Sequence, residues 1–147
     1  MSQITRIISD IARRGVRYRS EPMKALGLCS RHTNYLLDIC AEPGISQNRL
    51  AQRIGIDKSN VARQVASLEE NGFITCTPCE RDRRITKLYP TEKTLALLPE
   101  LTAMLDVWEA HLTQDMTAEE KETLTLLLTR IRDRADTRME AENHAEA

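Results

Sequence analysis

The chain has 147 residues, 41% hydrophobic and 29% charged, enough to bury one sizeable core in an ordinary globular domain. Aromatic residues make up only 3%, which argues against a base-stacking sheet of the kind that grips single strands. The formal net charge of −1 argues, taken alone, against a polyanionic partner, but that charge is laid out unevenly along the chain.

Residues 1–31 hold 7 basic and 2 acidic groups, a net of +5. Ile4, Ile7, Ile8 and Ile11 fall at i, i+3, i+4 and i+7, so the chain opens with an amphipathic helix. Arg6, Arg13, Arg14, Arg17 and Arg19 decorate its other sides and its exit. No continuous apolar stretch follows these arginines, so the segment does not read as a secretory signal, and its helical stripe outweighs a transit-peptide reading. No apolar run approaches the ~20 residues of a membrane span. Glu21-Pro22 predicts a break. A second helix is predicted from about Ser30 to Ala41, with Tyr35, Leu36, Ile39 and Cys40 as its apolar side, ended by Glu42-Pro43-Gly44.

Ser46 can cap a third helix whose apolar side is Leu50, Ala51 and Ile54. Gly55 then turns the chain and Ile56 plugs the corner. Asp57 is a natural N-cap for a fourth helix, Lys58 to about Glu70, with Val61, Val65 and Leu68 as its inner stripe. Asn71-Gly72 is a left-handed helix stop. Phe73 to Thr77 and Ile85 to Tyr89 read as a hairpin joined by the polar loop Pro78 to Arg84. Residues 49–87 carry 8 basic and 5 acidic groups, net +3, whereas residues 88–147 carry 6 and 13, net −7.

Thr91 is predicted to cap a long helix. Along it Leu98, Leu101, Leu105, Trp108 and Leu112 keep the 3-4-3-4 spacing of a helix-packing seam, with Pro99 near its start as a source of bending. Thr117-Ala118-Glu119-Glu120 is a capping box, and Leu124, Leu127, Leu128 and Ile131 form a last stripe. The polar tail after about Met139 is expected to fray. The expected fold class is mainly α with a small β-hairpin: a winged helix-turn-helix framed by N- and C-terminal dimerisation helices.

Function is sought in the middle. An α-helix fits the major groove of B-DNA if one stripe is buried and another face stays free to bond. Ser59, Asn60, Arg63, Gln64 and Ser67 fall outside the Val61/Val65/Leu68 stripe. Asn and Gln can bond adenine bidentately and Arg can do so to guanine. Any surface helix has a solvated face, but Ala51 and Gly55 permit a close, fixed crossing of the helix pair that a generic pair does not need. Glu80-Arg81-Asp82-Arg83-Arg84 puts three arginines at a hairpin tip, where they suit phosphates or a narrow minor groove. Asp82 is expected to aim Arg84 through a charge-assisted hydrogen bond.

The string IGIDKSNVARQVASLEENGFI, then ERDRR, then PTEK, resembles the MarR family of bacterial winged helix-turn-helix regulators, and the resemblance covers nearly the whole chain. It implies a homodimer in which terminal helices interlock two subunits and two recognition helices enter successive major grooves of a pseudo-palindrome. By this resemblance Lys58, Ser59, Asn60, Ala62, Arg63, Gln64 and Ser67 belong to the recognition helix. Arg81, Asp82, Arg83 and Arg84 belong to the wing, with Asp82 and Arg84 at the family's D-x-R signature. Ala62 stands where a hydroxyl residue is common and Ser67 where arginine is common, and each departure bears on one polar contact per half-site. The resemblance also implies a transcriptional regulator, usually a repressor, released by a small aromatic or phenolic effector or by an oxidant.

The residues themselves also favour a dimer. Ile4, Ile7, Ile8, Ile11, Leu105, Trp108, Leu112, Leu124, Leu127, Leu128 and Ile131 offer more apolar helix surface than one small wing domain needs to cover. The expected layout is one domain over 1–147, with 1–28 and 91–140 as the dimerisation region, 30–90 as the DNA-binding lobe and 141–147 as a flexible tail. Tyr18, His32, Tyr35, Trp108 and His111 are candidates for an effector pocket.

Cys29, Cys40, Cys76 and Cys79 are not framed as a secreted disulfide scaffold, which fits free thiols in a reducing cytoplasm. Cys76 and Cys79 form a C-x-x-C, but on a strand rather than at a helix start, and with no second ligand pair for zinc. Coincidence ranks ahead of a redox role, and a redox role ahead of metal. No Gly-rich phosphate loop, paired catalytic carboxylates or nucleophile elbow is present, so the chain is not expected to be an enzyme, and no cofactor is expected. The rival readings are a thiol-disulfide redox protein using Cys76 and Cys79, or a helical dimeric adaptor that needs no DNA.

Overall fold

The computed structural model describes residues 2–145. Its element order is α1 (Gln3–Ala25), α2 (His32–Ala41), β1 (Ile45–Ser46), α3 (Gln47–Ile54), α4 (Lys58–Glu70), β2 (Ile74–Pro78), β3 (Thr86–Pro90), α5 (Glu92–Leu112) and α6 (Ala118–Ala145). The chain divides into two compact units, one ending at Asp106 and the other beginning at Val107.

Local chemistry sets the helix ends in the first unit. The Ser46 hydroxyl accepts the Arg49 N–H at 3.1 Å and starts α3. The Asp57 carboxylate accepts the Asn60 N–H at 2.8 Å and starts α4. Each cap satisfies one of the donors that a helix start leaves without a partner. Gly55 ends α3 at φ +73°, and Gly72 follows α4 at φ +76°. After α4, the Phe73 N–H bonds the Leu68 carbonyl at 2.9 Å and the Gly72 N–H bonds that of Glu69 at 3.0 Å. This is the doubly bonded left-handed stop, with buried Phe73 and Leu68 as its apolar pair.

The sequence-based break at Glu21-Pro22 does not occur, because α1 runs on to Ala25 with Pro22 inside it. Only a single turn follows the proline, and that turn is anchored at both ends. Met23 and Leu28 are buried in the core, and the Leu28 N–H returns to the Met23 carbonyl at 2.9 Å.

The core of the first unit gathers Met23, Tyr35, Leu36, Ile39, Leu50, Val61, Leu68, Phe73 and Leu101, with Ile54 and Ile56 packed against it. The predicted hairpin is present one residue later than expected in each strand, with Cys76 opposite Leu88 and Thr77 opposite Lys87. A third strand, β1, was not foreseen. Ile45 pairs with Leu88 and Ser46 with Lys87, so the sheet order is β1-β3-β2. A two-residue strand has no periodicity to read, and its partner lies some forty residues along the chain.

Thr91 also behaves differently from a cap. Its hydroxyl donates to the Gly72 and Phe73 carbonyls at 2.7 and 3.1 Å. Thr94 donates to the Phe73 carbonyl at 2.5 Å, and the Lys93 ammonium bonds the Asn71 carbonyl at 3.0 Å while lying 4.0 Å over the Phe73 ring. The start of α5 thus clasps the end of α4, and these side chains take up carbonyls that the helix stop leaves over.

The second unit contains the last six residues of α5 and all of α6. Thr117 and Glu120 form the expected capping box: the Thr117 hydroxyl accepts the Glu120 N–H at 3.2 Å, and the Glu120 carboxylate accepts the Thr117 N–H at 2.8 Å. The polar run after Met139 is helical to Ala145, and positions 146–147 of the proposed tail lie outside the described residues. Among the described residues no helix is long and apolar enough to cross a membrane.

Candidate nucleic-acid interface

The α4 helix separates its faces as its sequence requires. Val61, Val65 and Leu68 are buried. Lys58, Ser59, Ala62 and Arg63 are exposed, whereas Asn60, Gln64 and Ser67 are half-buried. The Ser59 hydroxyl donates to the Asp57 carboxylate at 2.6 Å, and hydrogen bonds from Ser59 and Asn60 hold that carboxylate below its usual range. The N-terminus of α4 therefore carries a fixed negative cap, which complements the helix dipole.

Gln64 is not a free reader. Its side-chain oxygen lies 3.0 Å from His32 Nε2. His32 is buried at the start of α2, where its Nδ1 accepts the Cys29 N–H at 3.2 Å. Burial lowers the imidazole pKa, the Gln64 hydrogen bond opposes that, and the Arg31 charge lowers it further.

The β2–β3 loop holds the wing. Arg84 is 91% exposed, and its Nε and Nη2 both donate to the Asp82 carboxylate at 3.0 Å. The Arg84 backbone N–H adds a bond to Asp82 at 3.1 Å. This is the geometry in which a carboxylate aims an arginine, and it lowers the Asp82 pKa while raising that of Arg84. Arg81 and Arg83 are exposed beside them.

The two thiols of the C-x-x-C differ sharply. Burial first, then the hydrogen bond and charge of Glu69, push the Cys76 thiol up to about 12. Backbone N–H groups of Asp82 and Arg81 lower the Cys79 thiol. Cys76 is thus held protonated, against the needs of an attacking thiolate. All four cysteines are free, and among the described residues no cluster of three His, Cys, Asp or Glu is placed to hold a metal ion.

A cavity of about 570 Å³ lies among α1, α2 and α4, lined by Val16, Ser20, Lys24, Leu28, Cys29, Ser30, Arg31, Tyr35, Ile56 and Asn60. Of the five residues put forward for a pocket, only Tyr35 lines it. Its hydroxyl is buried and has no hydrogen-bond partner among the described residues. His32 instead packs edge-on against Tyr35, with ring centroids 6.4 Å apart, and Tyr18 bonds the Met104 carbonyl at 3.5 Å. Trp108 and His111 belong to the second unit, where their rings lie 6.2 Å apart. Lys24 and Arg31, which also line it, lie outside the aromatic candidate set, and the surplus of positive charge before residue 32 is the sequence signal that marks them.

Much of the apolar surface assigned to dimerisation is exposed. On α1 this applies to Ile4, Ile7 and Ile11, while Ile8 is half-buried. On α5 and α6, Leu112, Leu127, Leu128 and Ile131 are exposed, and Leu105, Trp108 and Leu124 are half-buried. Val16, Val107, Leu126 and Met139 are exposed as well and were not anticipated.

A helix pair joined through Gly55, its second helix carrying a polar outer face and followed by an arginine-tipped hairpin, defines a winged helix-turn-helix protein. A model of the MarR family matches residues 30–86. The HTH-type transcriptional regulator YybA of Bacillus subtilis is 37% identical over 132 residues, 90% of this chain and 88% of that protein. The crystal structure of the transcriptional regulator SlyA superposes with a TM-score of 0.90 at 29% identity, covering 95% of this chain and 98% of the other. A MarR-family regulator from Listeria monocytogenes, crystallised with a 26mer DNA, superposes with a TM-score of 0.89 at 28% identity over 93% and 91% of the two chains. The chain belongs to the MarR family of winged helix-turn-helix transcriptional regulators, which sets the oxidoreductase alternative aside.

Proposed function

We propose that this regulator binds duplex DNA as a homodimer, represses transcription from a pseudo-palindromic operator, and is released by a small anionic aromatic effector. The observation that carries the reading is the pairing of an α4 outer face, with Arg63 exposed beside Asn60 and Gln64, with a wing whose Arg84 is aimed outward by Asp82. In the proposed complex the α4 helices enter successive major grooves about 34–36 Å apart, and the wings meet the flanking backbone. Lys58, Ser59, Asn60, Arg63, Gln64 and Ser67 face the bases or nearby phosphates, Ala62 offers a methyl contact, and Arg81, Arg83 and Arg84 neutralise phosphates.

The exposed apolar residues of α1 and α6 support self-association, because an unpartnered stripe of that length is unusual on a monomer. The cavity supports an effector. Lys24 and Arg31 supply positive charge, Val16, Leu28 and Ile56 supply apolar wall, and the orphaned Tyr35 hydroxyl supplies a buried donor. Leaving that donor unpaired costs about 1–3 kcal/mol, which a bound carboxylate or phenol would recover. Asn60 lines the same cavity, so an occupant touches α4 directly.

Selection of bound sequences from random duplex, with sedimentation of the free protein and of the complex, tests the reading. The expected result is a dimer that enriches a two-fold symmetric site and loses affinity when benzoate is added. A monomer, or a protein that enriches no sequence, overturns it.

A further inference from the structure

His32 and Gln64 lie 32 residues apart, yet their side chains meet at 3.0 Å. The protonation of this pair follows from its surroundings. A backbone N–H can only donate, and that of Cys29 points at His32 Nδ1 at 3.2 Å. Nδ1 must therefore be bare. A neutral ring then carries its proton on Nε2, and an N–H there can bond only an oxygen of Gln64. The carbonyl end of the Gln64 amide is thus bound to α2, and its NH₂ end is turned away from the imidazole. The ring itself has little room to turn, because His32 is 7% exposed and packs edge-on against Tyr35.

This matters on a base-reading helix. A free glutamine amide rotates about its last torsion and offers either a donor or an acceptor to a base edge. One whose oxygen is held offers them in a single arrangement. We propose that His32 is a positioning residue for DNA recognition, fixing the amide polarity of Gln64 and thereby the base preferred at one position of each half-site. The proposal rests on the reading that α4 enters the major groove. It also gives α2 a part in specificity without any contact of its own with DNA.

The test compares bound-sequence selection by wild type, His32→Phe, His32→Gln, Gln64→Ala and the His32→Phe/Gln64→Ala double variant, with salt dependence measured on random duplex. Phe keeps the ring volume and the edge-on contact with Tyr35 but removes both nitrogens. Gln returns an amide donor near the place of Nε2. His32→Phe is expected to lower base preference about fivefold or more at one position per half-site, the same position that Gln64→Ala flattens. Salt slope and non-specific affinity should stay at wild-type values, His32→Gln should restore part of the preference, and the double variant should add nothing to Gln64→Ala. Imidazole ¹⁵N shifts of the free protein give a check independent of DNA and of any variant, with Nε2 expected to carry the proton.

Protonation at Nδ1 overturns the proposal, as does a His32→Phe protein that melts like wild type and selects identically. Flattening at every position, in step with lost non-specific affinity, also overturns it, because that is the signature of a merely structural role. A wild-type protein that selects no sequence removes the DNA reading itself, and the proposal falls with it, a result distinguishable from selection that is indifferent to His32.

Discussion

Replacing Arg84 with alanine should change the salt dependence of DNA binding while leaving the fold intact. The side chain is 91% exposed and, among the described residues, its ion-pair partner is Asp82, so thermal unfolding should match wild type. In the proposed dimer each wing loses one phosphate contact. Each contact contributes about 0.9 to the slope of log affinity against log salt, so two wings contribute about 1.8. A fourfold rise in salt should therefore cost the wild type about 12-fold more affinity than it costs Arg84→Ala. The substitution also strips Asp82 of its partner and leaves a carboxylate facing a polyanion. The double variant Asp82→Asn/Arg84→Ala should accordingly bind more tightly than Arg84→Ala alone at low salt. Fluorescence anisotropy with a labelled random duplex, titrated between about 50 and 200 mM salt, reads both effects. An Arg84→Ala slope equal to that of wild type would put the guanidinium away from the phosphates and refute the reasoning.

Three further outcomes are expected. Gly72→Ala should destabilise the protein by about 1–2 kcal/mol in urea titration, because φ +76° is strained for any residue with a Cβ, and Gly72→Asn should cost less. Stability should be steady above about pH 6.5 and fall as pH drops through that value, since burial of His32, with Arg31 beside it, lowers its folded pKa and the unfolded chain then takes the proton first. Cys29 N–H, Gln64 and Tyr35 face the same ring, and His32→Gln should flatten this part of the urea-midpoint profile. Iodoacetamide followed by mass spectrometry should label Cys79 well before Cys76, because backbone N–H groups favour the Cys79 thiolate whereas burial and Glu69 hold Cys76 as a thiol near 12.

The elements that sequence reveals are those fixed by neighbours in the chain. Ser46, Asp57 and the Thr117–Glu120 box act on atoms three residues away, so their roles can be read directly from the order of residues. The Val61, Val65 and Leu68 stripe follows from helical spacing alone. What escaped depends on contacts made across the fold. The β1 strand exists only because β3 offers an open edge. Thr91 looks like a cap until the end of α4 is brought to it. Pro22 looks like a stop until Met23 is buried beneath it. Gln64 looks free because the His32 that engages it arrives from another helix. At the proposed interface the positions on α4 and the wing were legible, whereas the cavity residues Lys24 and Arg31 were not, because a cavity has no periodicity.

The clasp of Thr91, Lys93 and Thr94 on residues 71–73 removes slack from the corner between α4 and α5. Within the first unit α5 runs from Glu92 to Asp106, 15 residues, which at 1.5 Å each make a rod about 22 Å long. Pinned at one end, such a rod converts a sideways shift of about 1 Å at its far end into a tilt of about 3° at the corner. The end of α4 shares that corner and must turn with it. Through the clasp, a small shift at that far end of the rod reaches the end of α4 as a turn about the corner.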